Sequence, residues 1–398
     1  MSSPLSIAPM IQWTTSPYRY LFRLISQSPL LYTEMITSHH LFNRYNRDGG
    51  LPWLEEEEDV EDVACQIGGG GGEESIENFC ESCDIALTNG RYTELNINSG
   101  CPSSKAQNSF CGLKHMLPEG RDDFVKILKE VDRRFSCRTK LSVKCRIGVY
   151  PNSTSLSNLL SYVTKVHSSG IRKIILHSRI GVLGGMSTAN NRTVPPLVYP
   201  VVERIKKEFK DVEIILNGGV RDFESVDYLL DGFYDSPLIS SEVEKYGSLN
   251  DWELTGERVE GIPIDGVMIG RKAYNDPGIF WNADSKYTGL KDNNYTWRHI
   301  TTTYCERMEK NVDRIGLVEC IKPLHNVFAG QGRNKEYKRC VDGRVNFWKK
   351  EKKRIDNGGV GQVLTVQEVM DECFEVVDCM DMTVGESRKM ILTNDLKT

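Results

Sequence analysis

Eight short runs of aliphatic and β-branched residues, separated by stretches with helical spacing, recur through the first two-thirds of this 398-residue chain. They fall at residues 5–8, 31–33, 63–67, 94–98, 140–144, 171–177, 213–217 and 266–269. Helical patterns lie between them at 18–26, 75–87, 122–134, 155–168, 201–209 and 223–230. Strands that alternate with helices form βα units, because parallel neighbours need a crossover to bring the chain back to the same end of the sheet. Eight such units predict an α/β protein built on a (β/α)8 TIM barrel over residues 1–283. After Asn275-Asp-Pro-Gly278 the strand pattern stops, and helical spacing continues at 297–311, 318–328, 335–351 and 366–379. A smaller all-helical C-terminal domain is expected at 284–380, with a flexible tail at 381–398.

Three stretches interrupt the rhythm. Leu54-Glu-Glu-Glu-Glu-Asp59 reads as a solvated acidic loop, residues 68–72 as a glycine turn, and residues 231–261 as a polar surface insertion with no inferable task. The cysteines are scattered, so reduced thiols are expected; Cys80 and Cys83 share metal-ligand spacing but read better as two positions of an amphipathic helix. No apolar run reaches the length of a membrane span, and an apolar strand begins at Leu5, leaving no room for a leader. A soluble, cytoplasmic monomer is the expectation. A net charge of −5 argues against indiscriminate coating of nucleic acid, yet residues 335–354 concentrate lysine and arginine among Tyr337, Phe347 and Trp348. That mixture suits phosphate contact and base stacking, or simply a solvated helix.

In a barrel the carboxyl ends of the strands converge on one mouth, where the chemistry is kept. In order, those ends carry Pro9 with Met10, Glu34, Gln66, Asn98 with Cys101, Lys144 with Arg146, His177 with Arg179, Asn217-Gly218-Gly219, and Gly270-Arg271. Singly, Lys144 reads as a snorkelling lysine, His177 as a satisfied core histidine and Cys101 as one more buried thiol. Together they suggest a flavin mononucleotide site. Glycines after the last two strands let backbone N–H groups approach a phosphate, with Arg271 as a fixed cation. Lys144 would stabilise negative charge on a reduced ring, and Gln66 would fix its pyrimidine edge.

The same residues carry a resemblance. Ala8-Pro-Met10, Leu31-Tyr-Thr-Glu-Met35, Gln66-Ile-Gly-Gly69, the run from Glu94 to Ser103 (ELNINSGCPS) with Gln107-Asn108, Val143-Lys-Cys-Arg-Ile-Gly148, His177-Ser-Arg179, Asn191-Arg192, Pro195-Pro-Leu197, Asn217-Gly-Gly219 and Gly270-Arg271 resemble the tRNA-dihydrouridine synthase family, in its bacterial dihydrouridine synthase A branch. The resemblance spans roughly the first four-fifths of the chain. It implies that NADPH reduces FMN, that the reduced flavin passes hydride to C6 of a D-loop uridine at position 20 or 20a, and that Cys101 protonates C5. A thiol suits that task, since its ordinary pKa of about 8.5 leaves it protonated near neutrality.

By the same resemblance Asn98 positions the uracil. Pro9, Met10, Ile11, Gln66, Lys144, His177, Asn217, Gly218, Gly219, Gly270 and Arg271 hold the cofactor. The uridine must leave its stack to reach the flavin. The helical domain becomes a tRNA-docking module, with Lys322, Lys338 and Arg339 as backbone contacts and Arg192 on the barrel side. Ile180, Val182 and Ala189 depart from residues common in the family after the His-x-Arg element, which bears on how tRNA is gripped. Two other readings compete: an FMN barrel reducing a small unsaturated substrate, which has no use for a basic helical domain, and a non-catalytic tRNA-binding factor, which predicts decay at Cys101.

Overall fold

The computed structural model describes residues 3–48, 61–69, 75–103, 112–232, 244–246, 252, 261–358, 360–362 and 364–395. The chain divides into two compact units: a barrel unit of residues 3–11 and 30–270, and a helical unit built from 12–29 and 271 onward.

In the barrel unit the eight expected strands are present as β1 (Leu5–Ile7), β2 (Leu30–Tyr32), β3 (Val63–Gly68), β4 (Glu94–Asn98), β5 (Lys140–Arg146), β6 (Lys173–His177), β7 (Glu213–Asn217) and β8 (Gly266–Ile269). Each pairs in parallel with the next, and β8 returns to β1 with Leu5 opposite Val267, closing the ring. Around it run α2 (Ser38–Asp48), α3 (Ile76–Asn89), α4 (Pro118–Phe135), α5 (Leu156–Ser168), α6 (Tyr199–Glu208) and α7 (Phe223–Leu230). Their starts are written in the sequence. The side chains of Ser75, Ser155 and Asp222 each accept the backbone N–H three residues on, capping α3, α5 and α7.

The pleat sorts the side chains. On β4, Leu95 and Ile97 take one face while Glu94, Asn96 and Asn98 take the other, which is the barrel interior. That interior has an apolar half, where Ala8, Tyr32, Ala64, Ile175, Ile215 and Met268 pack together with Met10 and Leu30. Its other half is polar and carries Gln66, Asn96, Asn98, Ser142 and Lys144.

Several expectations are corrected. Helix α2 has no counterpart among the expected helices, since His39, His40, Asn43 and Arg44 mask its helical spacing. Cys80 and Cys83, by contrast, lie where expected, as two buried positions of helix α3, and burial pushes the Cys80 thiol up to about 11. The insertion at 231–261 is not wholly a surface feature: Trp252 is fully buried, and a Cβ at Gly148 would lie 3.2 Å from its ring. The rest of that insertion, apart from its ends and the turn Glu244–Tyr246, lies outside the described residues, as do the acidic run at 54–59, residues 70–72, and Gln107 with Asn108.

The helical unit contains α1 (Ser16–Ile25), α8 (Trp297–Glu309), α9 (Asn334–Asp356), α10 (Val366–Phe374) and α11 (Val384–Asp395). Helix α1 precedes the second strand in sequence yet packs here. The buried Asp284 carboxylate accepts from Ser26 Oγ at 2.8 Å and from the backbone N–H of Gln27 and Ser28, and Phe22 meets Phe280 edge-on at 4.9 Å. The helix expected at 318–328 stops at Ile321 and continues as a 3-10 turn, Lys322–Asn326, because Pro323 has no N–H for the helical ladder. Residues 384–395, expected in a flexible tail, form α11 instead. Ser387 accepts from Trp297 Nε1 at 2.9 Å, and Arg388 grips Asp276 at 2.8 and 3.0 Å. The compact barrel unit ends at Gly270 and the helical unit resumes at Arg271.

Candidate active site

At the end of β4 the chain must turn before it can leave the barrel, and Asn98 makes the turn. Its Oδ1 accepts the N–H of Gly100 at 3.2 Å and of Cys101 at 3.0 Å, an Asx turn that fixes the thiol's backbone. Cys101 is half-buried, with its Sγ 3.4 Å from Ser103 Oγ. Below the turn, Tyr162 donates to Ser99 Oγ at 2.8 Å.

Arg146, at the end of β5, secures the turn from the side. Its Nε donates to Gly100 O at 3.1 Å, while Nη1 reaches Ile180 O at 3.2 Å and Asn191 O at 3.0 Å. One guanidinium thus ties the β4, β5 and β6 loops. Burial pulls it down to about 10, so it stays charged at neutral pH. Asn191 is itself fully buried and closes the loop, accepting from Val182 N at 2.7 Å.

Lys144 projects from β5 into the mouth, where its Nζ donates to Asn217 Oδ1 at 2.9 Å; Asn217 Nδ2 in turn donates to Met268 O at 2.8 Å. Burial, with a smaller push from Arg146, lowers the Lys144 ammonium to about 8. It is a cation held where it is poorly solvated, and an anionic partner would stabilise it. Beyond Asn217 the backbone enters the left-handed region at Gly218 (φ 116°) and Gly219 (φ 79°). A Cβ at Gly218 would meet His177 Cδ2 at 2.7 Å, and one at Gly219 would meet Leu197 and Tyr199 at 2.4 and 2.6 Å. Only glycine fits at either place. Tyr199 holds the turn, donating to Gly218 O at 2.7 Å, and burial pushes its phenol up to about 12.

A chain of side-chain amides runs under this rim. Asn98 Nδ2 donates to Gln66 Oε1 (3.0 Å), Gln66 Nε2 to Asn96 Oδ1 (2.7 Å), and Asn96 Nδ2 to Ser142 Oγ (2.6 Å). Ser142 and Tyr32 both donate to Glu94 Oε1, and Lys173 donates to Oε2 at 2.9 Å. Burial works to lower the Lys173 ammonium, but Glu94 and Glu213 outweigh it and the net direction is up. The Tyr32 phenol is pushed well above its ordinary range by burial and then by Glu94.

The structure therefore brings Gln66, Asn98, Cys101, Lys144, His177, Asn217, Gly218 and Gly219 to one end of the barrel. Pro9 and Met10 are half-buried and Ile11 exposed after β1, and Met10 Sδ lies 3.7 Å from where a Cβ of Gly270 would sit. Arg271 opens the short helix Arg271–Asn275 of the helical unit. Arg192 is exposed beside the buried Asn191, while Ile180 and Val182 are buried and Ala189 is exposed. In the helical unit, Lys322 opens the turn that ends at Asn326, whose Oδ1 accepts from Lys338 Nζ at 2.8 Å; Arg339 is exposed on α9. Sequence reasoning gave no role to Glu94, Asn96, Ser142 or Tyr199. The period-two run of Glu94, Asn96 and Asn98 on one strand face was the available signal for the first two.

Residues 6–233 match the family described as dihydrouridine synthase (Dus). The tRNA-dihydrouridine(20/20a) synthase of Pseudomonas putida is 30% identical over 289 residues, covering 72% of this chain and 72% of that protein. The enzyme of the same name from Pseudomonas syringae pv. tomato is 32% identical over 290 residues, covering 73% of each. That of Escherichia coli (strain K12) is 30% identical over 293 residues, covering 73% of this chain and 71% of the relative.

Proposed function

The chain belongs to the dihydrouridine synthase family, and from that membership we propose that it reduces a D-loop uridine of tRNA, at position 20 or 20a, to 5,6-dihydrouridine, using FMN and NADPH. The observation that carries the reading is the mouth itself, where a half-buried thiol on an Asx turn shares one barrel end with a desolvated lysine and a glycine turn.

The residues present fit FMN. A glycine pair without Cβ atoms suits close approach to a phosphate, Gln66 offers an amide to a ring edge, and the poorly solvated Lys144 calls for an anionic partner. When bound, FMN supplies the hydride that NADPH provides. Gln66, Lys144, His177, Asn217, Gly218 and Gly219 would hold it, together with Pro9, Met10, Ile11, Gly270 and Arg271. Asn98 orients the uracil through its amide, and Cys101 Sγ delivers the proton to C5. Arg146 keeps the Cys101 turn from shifting as that proton leaves. Lys322, Lys338, Arg339 and Arg192 contact the tRNA backbone.

Purified protein should carry or take up flavin, and with NADPH and unmodified tRNA should form dihydrouridine at a D-loop position. Protein that cannot be reconstituted with FMN rules the reading out. Cys101→Ala should keep flavin and NADPH oxidation while losing at least a hundredfold in dihydrouridine formation, the usual scale for a general acid. A wild-type rate would remove Cys101 from the chemistry.

A further inference from the structure

The amide chain under the mouth has two ends, and neither end can turn over. At the top, Asn98 Oδ1 faces the backbone N–H groups of Gly100 and Cys101, which only donate. This forces Asn98 Nδ2 toward Gln66, so Gln66 must present its oxygen there and its Nε2 to Asn96. At the bottom, Glu94 is a carboxylate that only accepts, held by Lys173, and it takes the Ser142 proton. Ser142 Oγ is then left to accept from Asn96 Nδ2. The two boundary conditions, set at opposite ends of the barrel interior, demand the same orientation of three consecutive amides.

We infer that Glu94 is a positioning residue, whose carboxylate fixes through Ser142, Asn96 and Gln66 the donor–acceptor direction of Asn98 and so the geometry of the Cys101 turn. This rests on the reading of Asn98 and Gln66 given above. Replacing the carboxylate by an amide of the same shape exposes the coupling. In Glu94→Gln the oxygen turns to the Lys173 ammonium and the Nε2 turns to Ser142 and Tyr32. Tyr32 Oη, the other oxygen beside Ser142, is taken by that same Nε2, so the Ser142 proton turns to Asn96, which asks Asn96 and Gln66 to turn over in sequence. The reversed chain ends with Asn98 pointing an N–H at the N–H groups of Gly100 and Cys101.

The test compares wild type, Glu94→Gln, Ser142→Ala and the double variant Glu94→Gln with Ser142→Ala. In the flavin-free protein, alkylation of Cys101 by iodoacetamide is followed by peptide mass spectrometry against the exposed Cys137, and dihydrouridine formation is measured on the FMN-loaded enzyme. Glu94→Gln should speed Cys101 alkylation severalfold relative to Cys137 and slow dihydrouridine formation at least tenfold. The double variant should match Ser142→Ala alone, because without the hydroxyl the amide's direction is not transmitted. If Glu94→Gln lowers the melting temperature but leaves Cys101 reactivity at the wild-type value, Glu94 is merely structural. If the double variant remains as altered as Glu94→Gln, the path does not run through Ser142; either result overturns the inference.

Should Glu94→Gln not fold, Glu94→Gln with Lys173→Gln removes the ammonium that turns the amide. It should keep Cys101 alkylation within twofold of wild type, and a severalfold rise in the folded protein overturns the inference. Wild-type protein that makes no dihydrouridine sinks the proposed function instead, and leaves the alkylation comparison standing.

Discussion

Lys144 shows how a residue can be costly to the fold and useful to the site. In the folded protein burial lowers it to about 8 from the ordinary lysine value of 10.5, so below pH 8 the native state holds a charge that the unfolded chain carries more easily. Between those values the unfolded state binds more protons, and this group's contribution to stability rises with pH. Lys144→Met should therefore raise the melting temperature of the flavin-free protein at pH 7, with the gain shrinking as pH climbs through 8 toward 10.5. Flavin affinity of the same variant should fall. Thermal melts across that range check the sign, and a gain that grows with pH would contradict the burial account. At Gly219 the constraint is steric: Gly219→Ala would press a methyl against Leu197 and Tyr199 at a positive φ, and cofactor binding should be lost with it. Flavin absorbance after gel filtration checks this.

The elements divide the work between them. β4 places the thiol and the amides because its period-two alternation sends Asn96 and Asn98 inward and Leu95 and Ile97 outward. Helix α9 is different, being long, basic and buried only at Tyr337 and Val341. Lys338 is spent partly on Asn326, so the exposed Arg339 is the cleaner probe of RNA contact. Arg339→Glu should weaken tRNA binding and reduce the magnitude of the salt slope by about 1, leaving the melting temperature near wild type. An unchanged slope, read from binding at several salt concentrations, would return this part of α9 to solvent.

In the molecule as a whole, the helical unit draws on two separated parts of the chain, 12–29 and the segment after residue 270 that ends in α11. Arg388 on α11 is mostly buried and holds Asp276 through two bonds. Asp276→Ala would strand that charge and should cost about 3–5 kcal/mol, the range for breaking a buried pair. Removing residues 381–398 should destabilise the helical unit for the same reason and through loss of the Trp297–Ser387 bond. Denaturant titration measures both, and a truncation with wild-type stability would restore the view of this stretch as a tail.

The barrel is legible in the chain alone, because strand alternation and glycine turns are local properties: all eight strands lie where the pattern puts them, and the residues proposed for the site stand at or just beyond their ends. The features that emerge only on folding are non-local. Helix α1 belongs with residues 280–293, since Asp284 and Phe280 find their partners more than 250 positions earlier. Trp252 is fully buried although its neighbours in the sequence are polar, because burial depends on what folds over a residue and not on its neighbours in the chain. The amide relay needed the register that sets Gln66 opposite Asn96 and Asn96 opposite Ser142, so that three strands align their inward polar groups at one depth of the barrel.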